Sequence, residues 1–504
     1  MRKSFAVISC AFLVSAPLSL LGQGTANLKA RQWNDPYLAV GNKTSSAYTP
    51  TATLLTPYYS YSSAAASFDL REEGSGAYIP EEGNALRQGR FDAESFLRLK
   101  GNSAVSGRVG YCRAVKQDVA LNETSDYELL RPYVLIDTVG GNLQHEQYSF
   151  QGAWMQRSDK LVYSVYGGYK AVHEYRSVDP RPRNISSDFK ADASLGYVFP
   201  KGSVISYAGY RKYHQRQDVT FMSNTGANTT LFHSTGLGAD YYRFRSTGVF
   251  AATRYEGHGL EAGIVGSGAS GKLHCGLSYG LLGVTRHLSN QNDAPLSTLE
   301  TESINSFVSY RVSNSFAVEA KMDYEKRTGC ENVIDCAASG IYDDILSLDM
   351  YSQGLVNASA LGVFRVEKRY GIWHLMPSVH WRQSSEEYRY PSSWMKYSVL
   401  AGRFSGGFSA IRGSWLYDLT GGFEFGGCLY DDCTLQTGEE RIREAYLDKF
   451  ERRTKNHIQG YAAALAQKEI SGTVAVFSRV SVGGMFYGQD SRMLALTISI
   501  GISY

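Results

Sequence analysis

The chain has 504 residues, with 51 Lys+Arg against 48 Asp+Glu and a formal net charge of +3. So nearly neutral a chain suggests no polyanion partner, and no Lys/Arg block reads as a nucleic-acid patch. Charged residues make up 20%, hydrophobic residues 43%, and 36 Tyr and 51 Gly stand beside only 12 Pro; this composition fits strands and tight turns, in a soluble sheet or in a barrel that turns alternate residues to lipid.

Residues 1–22 read as a secretory signal. Arg2 and Lys3 are basic, Phe5 to Leu21 is apolar, and Leu20-Leu21-Gly22 offers a small-residue cleavage site before Gln23. Cys10 follows a box resembling that of a lipoprotein, but the apolar run continues past it. After Leu21 no run approaches the ~20 apolar residues that a spanning helix needs, so a membrane-embedded form has to be a closed barrel. Residues 23–52, with Trp33, Asn34, Asp35, Pro36 and Gly41, are not strand-like. They read as a compact irregular segment, either a lumen plug or a periplasmic leader, and are too short for the plug domain of an energy-coupled receptor.

From about residue 53 to 504 the dominant signal has period two, which marks strands with one apolar and one polar face. Phe189, Ala191, Ala193, Leu195, Tyr197 and Phe199 alternate with Lys190, Asp192, Ser194 and Gly196. Phe316, Val318, Ala320, Met322 and Tyr324 alternate with Glu319, Lys321, Asp323 and Glu325. The runs are longer than the five or six residues of ordinary strands, and aromatics gather near their ends, as at Tyr197/Phe199, Trp373/Trp381 and Phe423/Phe425. Nineteen segments fit, among them 53–70, 240–256, 258–270, 394–405, 408–425 and 453–468. Because single-chain bacterial barrels prefer even counts, the expected fold is an all-β transmembrane antiparallel barrel of about 18 strands, range 14–20. The surplus is assigned to the first segment or to the pair around Gly406-Gly407. Gly101-Asn102, Pro200-Lys201-Gly202, Ser313-Asn314 and Tyr370-Gly371 make short periplasmic turns, and Ser267 to Gly271 is another turn without the lysine of a phosphate loop. Residues 120–142, 223–239, 287–300, 328–352 and 427–451 are longer outer loops.

The last strand alternates Leu494, Leu496, Ile498, Ile500 and Ile502 with small or polar residues and ends on Tyr504. It resembles the signal read by the barrel-assembly machinery, which makes Tyr504 the candidate assembly residue. With the Trp33-Asn34 to Gly41 segment, the Tyr/Gly-rich strands and the terminal Ser499-Ile500-Gly501-Ile502-Ser503-Tyr504, the chain resembles the uncharacterised outer-membrane β-barrel proteins of Bacteroidota-type bacteria. The resemblance implies the fold and an outer-membrane location, and adds no functional residue.

Cysteine spacing favours no zinc site. Cys330/Cys336 and Cys428/Cys433 are each placed to close a small loop by disulfide, whereas Cys112 and Cys275 lie mid-strand on opposite sides of the wall. Asp343-Asp344 and Asp431-Asp432 read as solvated loop charge rather than as Ca²⁺ ligands. His374, Ser378, His380 and Arg382 share one polar face, but Ser378 and His380 stand roughly 7 Å apart along the strand, so direct contact is not expected. No enzyme activity, cofactor or metal is expected. The leading expectation is a passive or semi-selective channel for a small solute, lined by Lys190, Asp192, Glu319, Lys321, Asp323, Glu325, Arg365, Glu367, His374, His380 and Arg382. The alternative is a non-transporting surface, assembly or partner-binding barrel that works through its outer loops. A filled lumen favours the second and an open lumen the first.

Overall fold

The computed structural model describes residues 25–74, 78–222, 230–245, 250–289, 293–334, 344–436, 438–487 and 491–504. The signal-like residues 1–22, Cys336 and Asp343 lie outside the described residues. Four short helices come first: α1 (Ala26–Asn34), α2 (Pro36–Ala39), α3 (Asn42–Tyr48) and α4 (Pro50–Leu54). Then follow β1 (Tyr61–Glu73), β2 (Ala85–Arg98), β3 (Ser103–Val119), α5 (Tyr127–Leu130), β4 (Leu135–Ile136), β5 (Gly141–Ser158), β6 (Leu161–Tyr175), β7 (Arg181–Phe199) and β8 (Gly202–Thr220). The middle of the chain forms β9 (Phe232–Gly236), β10 (Ala239–Asp240), β11 (Thr253–Gly268), β12 (Leu273–Leu288), β13 (Ala294–Ser313), β14 (Phe316–Ile334) and β15 (Asp344–Lys368). The rest comprises β16 (Gly371–Tyr388), β17 (Ser393–Arg412), β18 (Trp415–Thr434), α6 (Glu440–Thr454), β19 (His457–Ser471), β20 (Val474–Tyr487) and β21 (Ser491–Ser503).

Eighteen of the strands form one antiparallel sheet in sequence order, and β4, β9 and β10 make a separate small sheet. β21 pairs with β1 from Ser63↔Ser503 to Glu73↔Met493, so the large sheet closes on itself. Next to this seam the Tyr504 amide donates to the Ser62 carbonyl at 2.8 Å and the Ser62 amide donates back at 3.3 Å. Closure leaves no free strand edge, which a sheet in hydrocarbon requires. No described helix is long and apolar enough to cross a membrane.

Period-two patterning places apolar side chains outside. Phe150, Phe189, Leu195, Leu260, Val308 and Ile500 are exposed on the outer face, and Ala193 and Ala320 share it. Near the rim of short turns, Trp154 and Tyr163, Phe316 and Phe364, Trp373 and Phe408, and Trp415 and Tyr417 form close ring pairs on that face. Such a belt is what an interfacial girdle demands. Cys112 and Cys275 do lie on opposite faces: Cys275 is exposed outside, while Cys112 shares the inward face with Lys116, which reaches Glu174 on β6 at 2.7 Å.

Four expectations need correction. The surplus strand is 240–256, neither the first segment nor the Gly406-Gly407 pair. Tyr242–Phe244 is a short helical turn inside an outer connection, and the wall strand starts only at Thr253. Residues 406 and 407 lie within β17, and the chain turns at Gly413-Ser414 instead, with Gly413 at φ +57°. Residues 23–52 are not irregular where described, since helices run to Leu54 and β1 starts at Tyr61. Cys428 and Cys433 are both free thiols. They sit on β18 itself, where five residues of extended chain span roughly 16 Å, far beyond the Cα separation a disulfide allows. Cys330 is likewise on β14.

Candidate functional site

An 18-stranded barrel with nothing inside would enclose a wide aqueous channel. In this chain the lumen is occupied at both ends, by different parts of the sequence.

At the short-turn rim the occupant is α1–α4. Asp35 and Pro36 explain the local fold: Asp35 Oδ1 accepts from the Tyr37 and Leu38 amides at the N-terminus of α2, and Pro36 sits at the first helical position. The same carboxylate then reaches the wall. His374 Nε2 is 3.1 Å from Asp35 Oδ1, and Arg365 Nε is 3.2 Å from Asp35 Oδ2. Burial alone would raise the Asp35 carboxyl, but the hydrogen bond and charge of His374, with Arg365, bring it below the usual aspartate range. Gly41 follows at φ +73°, and its amide donates to Glu319 Oε2 at 3.0 Å. A Cβ at Gly41 would sit 2.4 Å from Ser309 Oγ and 2.6 Å from the His274 ring, so only glycine fits. Glu319 also accepts from the Thr44 hydroxyl at 2.8 Å and pairs with Lys321 at 2.9 Å.

Two wall arginines cap the carbonyl ends of this segment. Arg311 Nη2 donates to the Leu38 and Val40 carbonyls at 2.9 and 3.0 Å. Arg98 donates to the carbonyls of Leu54, Thr56 and Tyr58 at 3.1, 2.5 and 2.9 Å. On other parts of the ring, Thr51 meets Ser194 on β7 at 2.5 Å, and Gln467 on β19 donates to Asn27 at 3.0 Å. Partners so distributed place the segment inside the ring. Apolar contacts to the wall fall into separate small clusters: Trp33 stacks on Tyr61 and Phe96, Leu54 packs with Phe96 and Met155, Tyr37 and Val40 with Ala317 and Val363, and Ala52 with Val162 and Ile205.

At the outer rim, the connections carrying α5, β4, β9, β10 and α6 fold inward as a roof. Their core joins Leu130, Tyr133, Val134, Ile136, Phe232 and Leu237 with Ile442, Tyr446 and Phe450 of α6, and with inward residues of the wall such as Tyr213, Tyr255 and Tyr351. Two buried charge clusters are paired. Lys449 Nζ meets Glu81 Oε1 at 2.5 Å, both nearly inaccessible; burial pushes Glu81 up, and Lys449 more than offsets this, leaving its carboxyl below the usual range. Arg176 bridges Glu123 and Asp137. Burial and the Asp137 charge raise the Glu123 carboxyl well above its ordinary value. Buried His233 lies 2.8 Å from Arg286, and burial plus that guanidinium push its imidazole well below 6.5.

Between floor and roof lies a polar chamber of about 440 Å³. Ser46, Tyr48 and Pro50 form its floor, Leu129 and Arg327 its upper edge. A second cavity of about 430 Å³ adjoins it, sharing Ser46, Pro50, Gln151 and Tyr166 and adding Trp33, Lys43, Glu94 and Arg108. Strand register builds the chamber wall in two rows. Asp192, Gly209, Glu261, Gly280, Ser303 and Glu325 are successive cross-strand partners. One step outward the partners are Lys190, Arg211, Gly259, Leu282, Thr301 and Arg327. An acidic row with glycines between its carboxylates therefore lies beneath a basic row. A Cβ at Gly209 would be 1.8 Å from Asp192 Oδ1, so the Asp192 carboxylate leans across that glycine towards Glu261. Arg211 is held by Asp188 at 2.8 and 2.7 Å, and Arg327 by Glu325 at 2.7 Å. Glu261 accepts from the Tyr207 hydroxyl at 2.9 Å. Among the described residues Lys190, Asp192 and Glu261 have no opposite charge within 4.0 Å. The Tyr48 hydroxyl is pushed up to about 12 by burial and then by Asp323, Glu261 and Glu319.

The structure thus divides the expected lining residues. Lys190, Asp192 and Glu325 border the chamber. Asp323 acts on Tyr48 of the floor. Glu319, Arg365 and His374 hold the N-terminal segment, with Lys321 behind Glu319 and Glu367 behind Arg365 at 2.9 Å. Arg382 is exposed on the inward face of β16 and has no ion-pair partner within 4.0 Å among the described residues. Contrary to expectation, Ser378 Oγ and His380 Nε2 do touch, at 3.0 Å, because the side chains lean together along the strand. Among the described residues no carboxylate bonds to the other nitrogen of His380, so a third orienting group is missing. Asp431-Asp432 is part of β18, where Asp432 accepts from Trp394 at 2.9 Å. Sequence reasoning missed Glu261, Tyr207 and Tyr48. The alternation of segment 258–270 marks Glu261 as inward, but convergence with Tyr48 needs the fold.

A model for a family of unknown function (DUF6850) matches residues 50–504. No curated protein matches the chain. Similar solved structures include a bacterial polysaccharide outer membrane secretin, with 9% identity over 88% of this chain and 98% of that chain and a TM-score of 0.36. Others are BauA, the ferric preacinetobactin receptor from Acinetobacter baumannii (7% identity, 88% and 80% coverage, TM-score 0.39), and the outer membrane transporter YddB from Escherichia coli (8% identity, 88% and 80% coverage, TM-score 0.41). Likeness at this level extends to no residue and no ligand. The chain belongs to the DUF6850 family.

Proposed function

We propose that this family member is a bacterial outer-membrane barrel that is closed at rest and admits a small polar solute only when the N-terminal segment or the roof moves. The carrying observation is the chamber: its wall is charged and polar, and each end is occupied by folded chain. A permanently open channel fits this less well than the sequence alone suggested. Its partners in this reading are outer-membrane lipid, against the apolar outer face, and the barrel-assembly machinery, which would read the terminal strand through Tyr504. The Bacteroidota-type affiliation suggested by Trp33–Gly41 and Ser499–Tyr504 belongs to the same reading, as does the absence of enzyme activity.

Purified protein in planar lipid bilayers is the test. The unmodified chain should show no steady current, and Asp35→Ala with Glu319→Ala, which cuts the floor's polar contacts to His374, Arg365 and Glu319, should produce one. Steady ohmic conductance from the unmodified chain would overturn the closed reading. A second reading, a non-transporting surface or partner-binding barrel, is favoured by the packed core of the roof. Its signature would be silence even after the floor contacts are cut.

A further inference from the structure

The chamber has an unusual electrostatic balance, and this indicates what fills it. Among the described residues three of its charges have no opposite charge within 4.0 Å: Lys190 in the outer row, and Asp192 and Glu261 in the row below. Glycines at 209, 259 and 280 carry no side chain of their own into the chamber, and Asp192 leans over Gly209 and Ser303 over Gly280. The rows are two residues apart along each strand, roughly 6.6 Å.

A ligand entering such a chamber displaces water from those three charges. A neutral polyol would leave them desolvated without counter-charge, which is costly. A simple anion would satisfy Lys190 but sit beside two carboxylates, and a simple cation would leave Lys190 bare. A zwitterion answers all three. Its ammonium, with three donors, suits the paired acceptors Asp192 and Glu261, and its carboxylate suits Lys190. The termini of a dipeptide stand at most about 7 Å apart in extended form, which matches the spacing of the rows, and Tyr48, Tyr166 and Tyr207 supply aromatic surface for its side chains.

We infer that the chamber is a binding site for a small zwitterion of dipeptide size, the ammonium held by Asp192 and Glu261 and the carboxylate by Lys190. This rests on the chamber described above, but not on whether the barrel conducts.

Isothermal titration of the detergent-solubilised full chain separates the two. The probes are Ala-Ala, its N-acetyl derivative, its C-terminal amide and glucose. They are titrated into the unmodified chain and into the Asp35→Ala/Glu319→Ala chain, where entry is easier. Ala-Ala should bind at least one of these proteins, and each blocked derivative should bind roughly tenfold or more weakly, the scale of one charge-assisted hydrogen bond. Asp192→Asn or Glu261→Gln should weaken Ala-Ala while leaving the acetylated form unchanged. Lys190→Met should weaken Ala-Ala while leaving the amide unchanged. Heat-modifiable gel mobility shows that each variant is folded. No binding to either protein, equal binding of all three peptides, or binding of glucose alone would overturn the proposal. Steady conductance together with selective Ala-Ala binding would overturn the closed reading and leave the site standing.

Discussion

At the short-turn rim the lumen is occupied by a segment held at dispersed points, by hydrogen bonds and ion pairs to separate strands (Asp35 to β15 and β16, Gly41 and Thr44 to β14, Thr51 to β7, Asn27 to β19) and by separate small apolar clusters. At the outer rim it is occupied by a roof with its own apolar core, in which Tyr446 and Phe450 of α6 pack with Leu130, Tyr133 and wall tyrosines. The two differ in cooperativity. Dispersed polar contacts are each worth about 0.5–1.5 kcal/mol, or 1.5–3 when charged, and separate one at a time. A packed core with buried ion pairs comes apart as a unit. On the proposed reading the floor is therefore the element that moves, and the roof the element that stays.

The largest effect should come from breaking what both ends lean on. Deleting residues 502–504 removes part of the β21–β1 seam and the Ser62–Tyr504 exchange. Outer-membrane levels, read by fractionation and heat-modifiable mobility, should fall sharply, with both lumen fillings lost together. Normal assembly of the truncated chain would show that the seam is dispensable. Next in size is Lys449→Ala, which strands Glu81 as a buried unpaired carboxylate at about 3–5 kcal/mol. Hydrogen exchange should accelerate across 120–140, 230–245 and 440–454 together and stay unchanged across 26–54. Acceleration confined to α6 would deny the roof its cooperativity. Glu81→Gln combined with Lys449→Met should recover much of the loss. The wall supplies a control: Ala320→Arg faces the outside and costs about 2–4 kcal/mol at mid-membrane, whereas Lys321→Ala, inward and paired with Glu319, should leave folding nearly intact. Equal tolerance at both positions would mean that the faces are reversed.

Much of the wall is legible in the sequence alone, because a barrel in lipid imposes period two along its strands. Lys190 against Ala193, or Lys321 against Ala320, needs no more than alternation. The same rule failed at 240–256, where Phe244 is buried in a small core with Leu288, Leu296 and Ile334 rather than facing lipid. It also closed the outer loops too early. β14 and β15 run to Ile334 and from Asp344, well past the 9–11 residues a crossing needs, with polar positions on both faces. The helices of 26–54 left no periodic signal, being four to nine residues long and set by caps and wall contacts rather than by an amphipathic stripe. For the chamber, alternation identifies Lys190 and Asp192 as inward but says nothing of strand register, and register is what sets Asp192 beside Gly209 and Glu261.

The smallest and most discriminating effect belongs to Asp35. Its carboxyl lies below the ordinary aspartate range in the folded chain, because His374 and Arg365 outweigh its burial. A depressed value contributes stability that is fully present above the unfolded value, about 3.9, and is lost as pH falls through the folded one. The Asp35 charge, and the stability it contributes to the floor, should therefore be kept at neutral pH and lost only below about 4. Hydrogen exchange of residues 26–54 is the measurement, corrected for the intrinsic pH dependence of exchange. Asp35→Asn keeps an acceptor for the Tyr37 and Leu38 amides but removes the charge, at roughly 1.5–3 kcal/mol. At pH 7 the floor of this variant should exchange faster than that of the unmodified chain, while the roof stays protected in both proteins. If the Asn variant matches the unmodified chain at pH 7, the His374–Asp35–Arg365 contact does not secure the floor, and the contrast between a releasable floor and a fixed roof fails at its best-defined point.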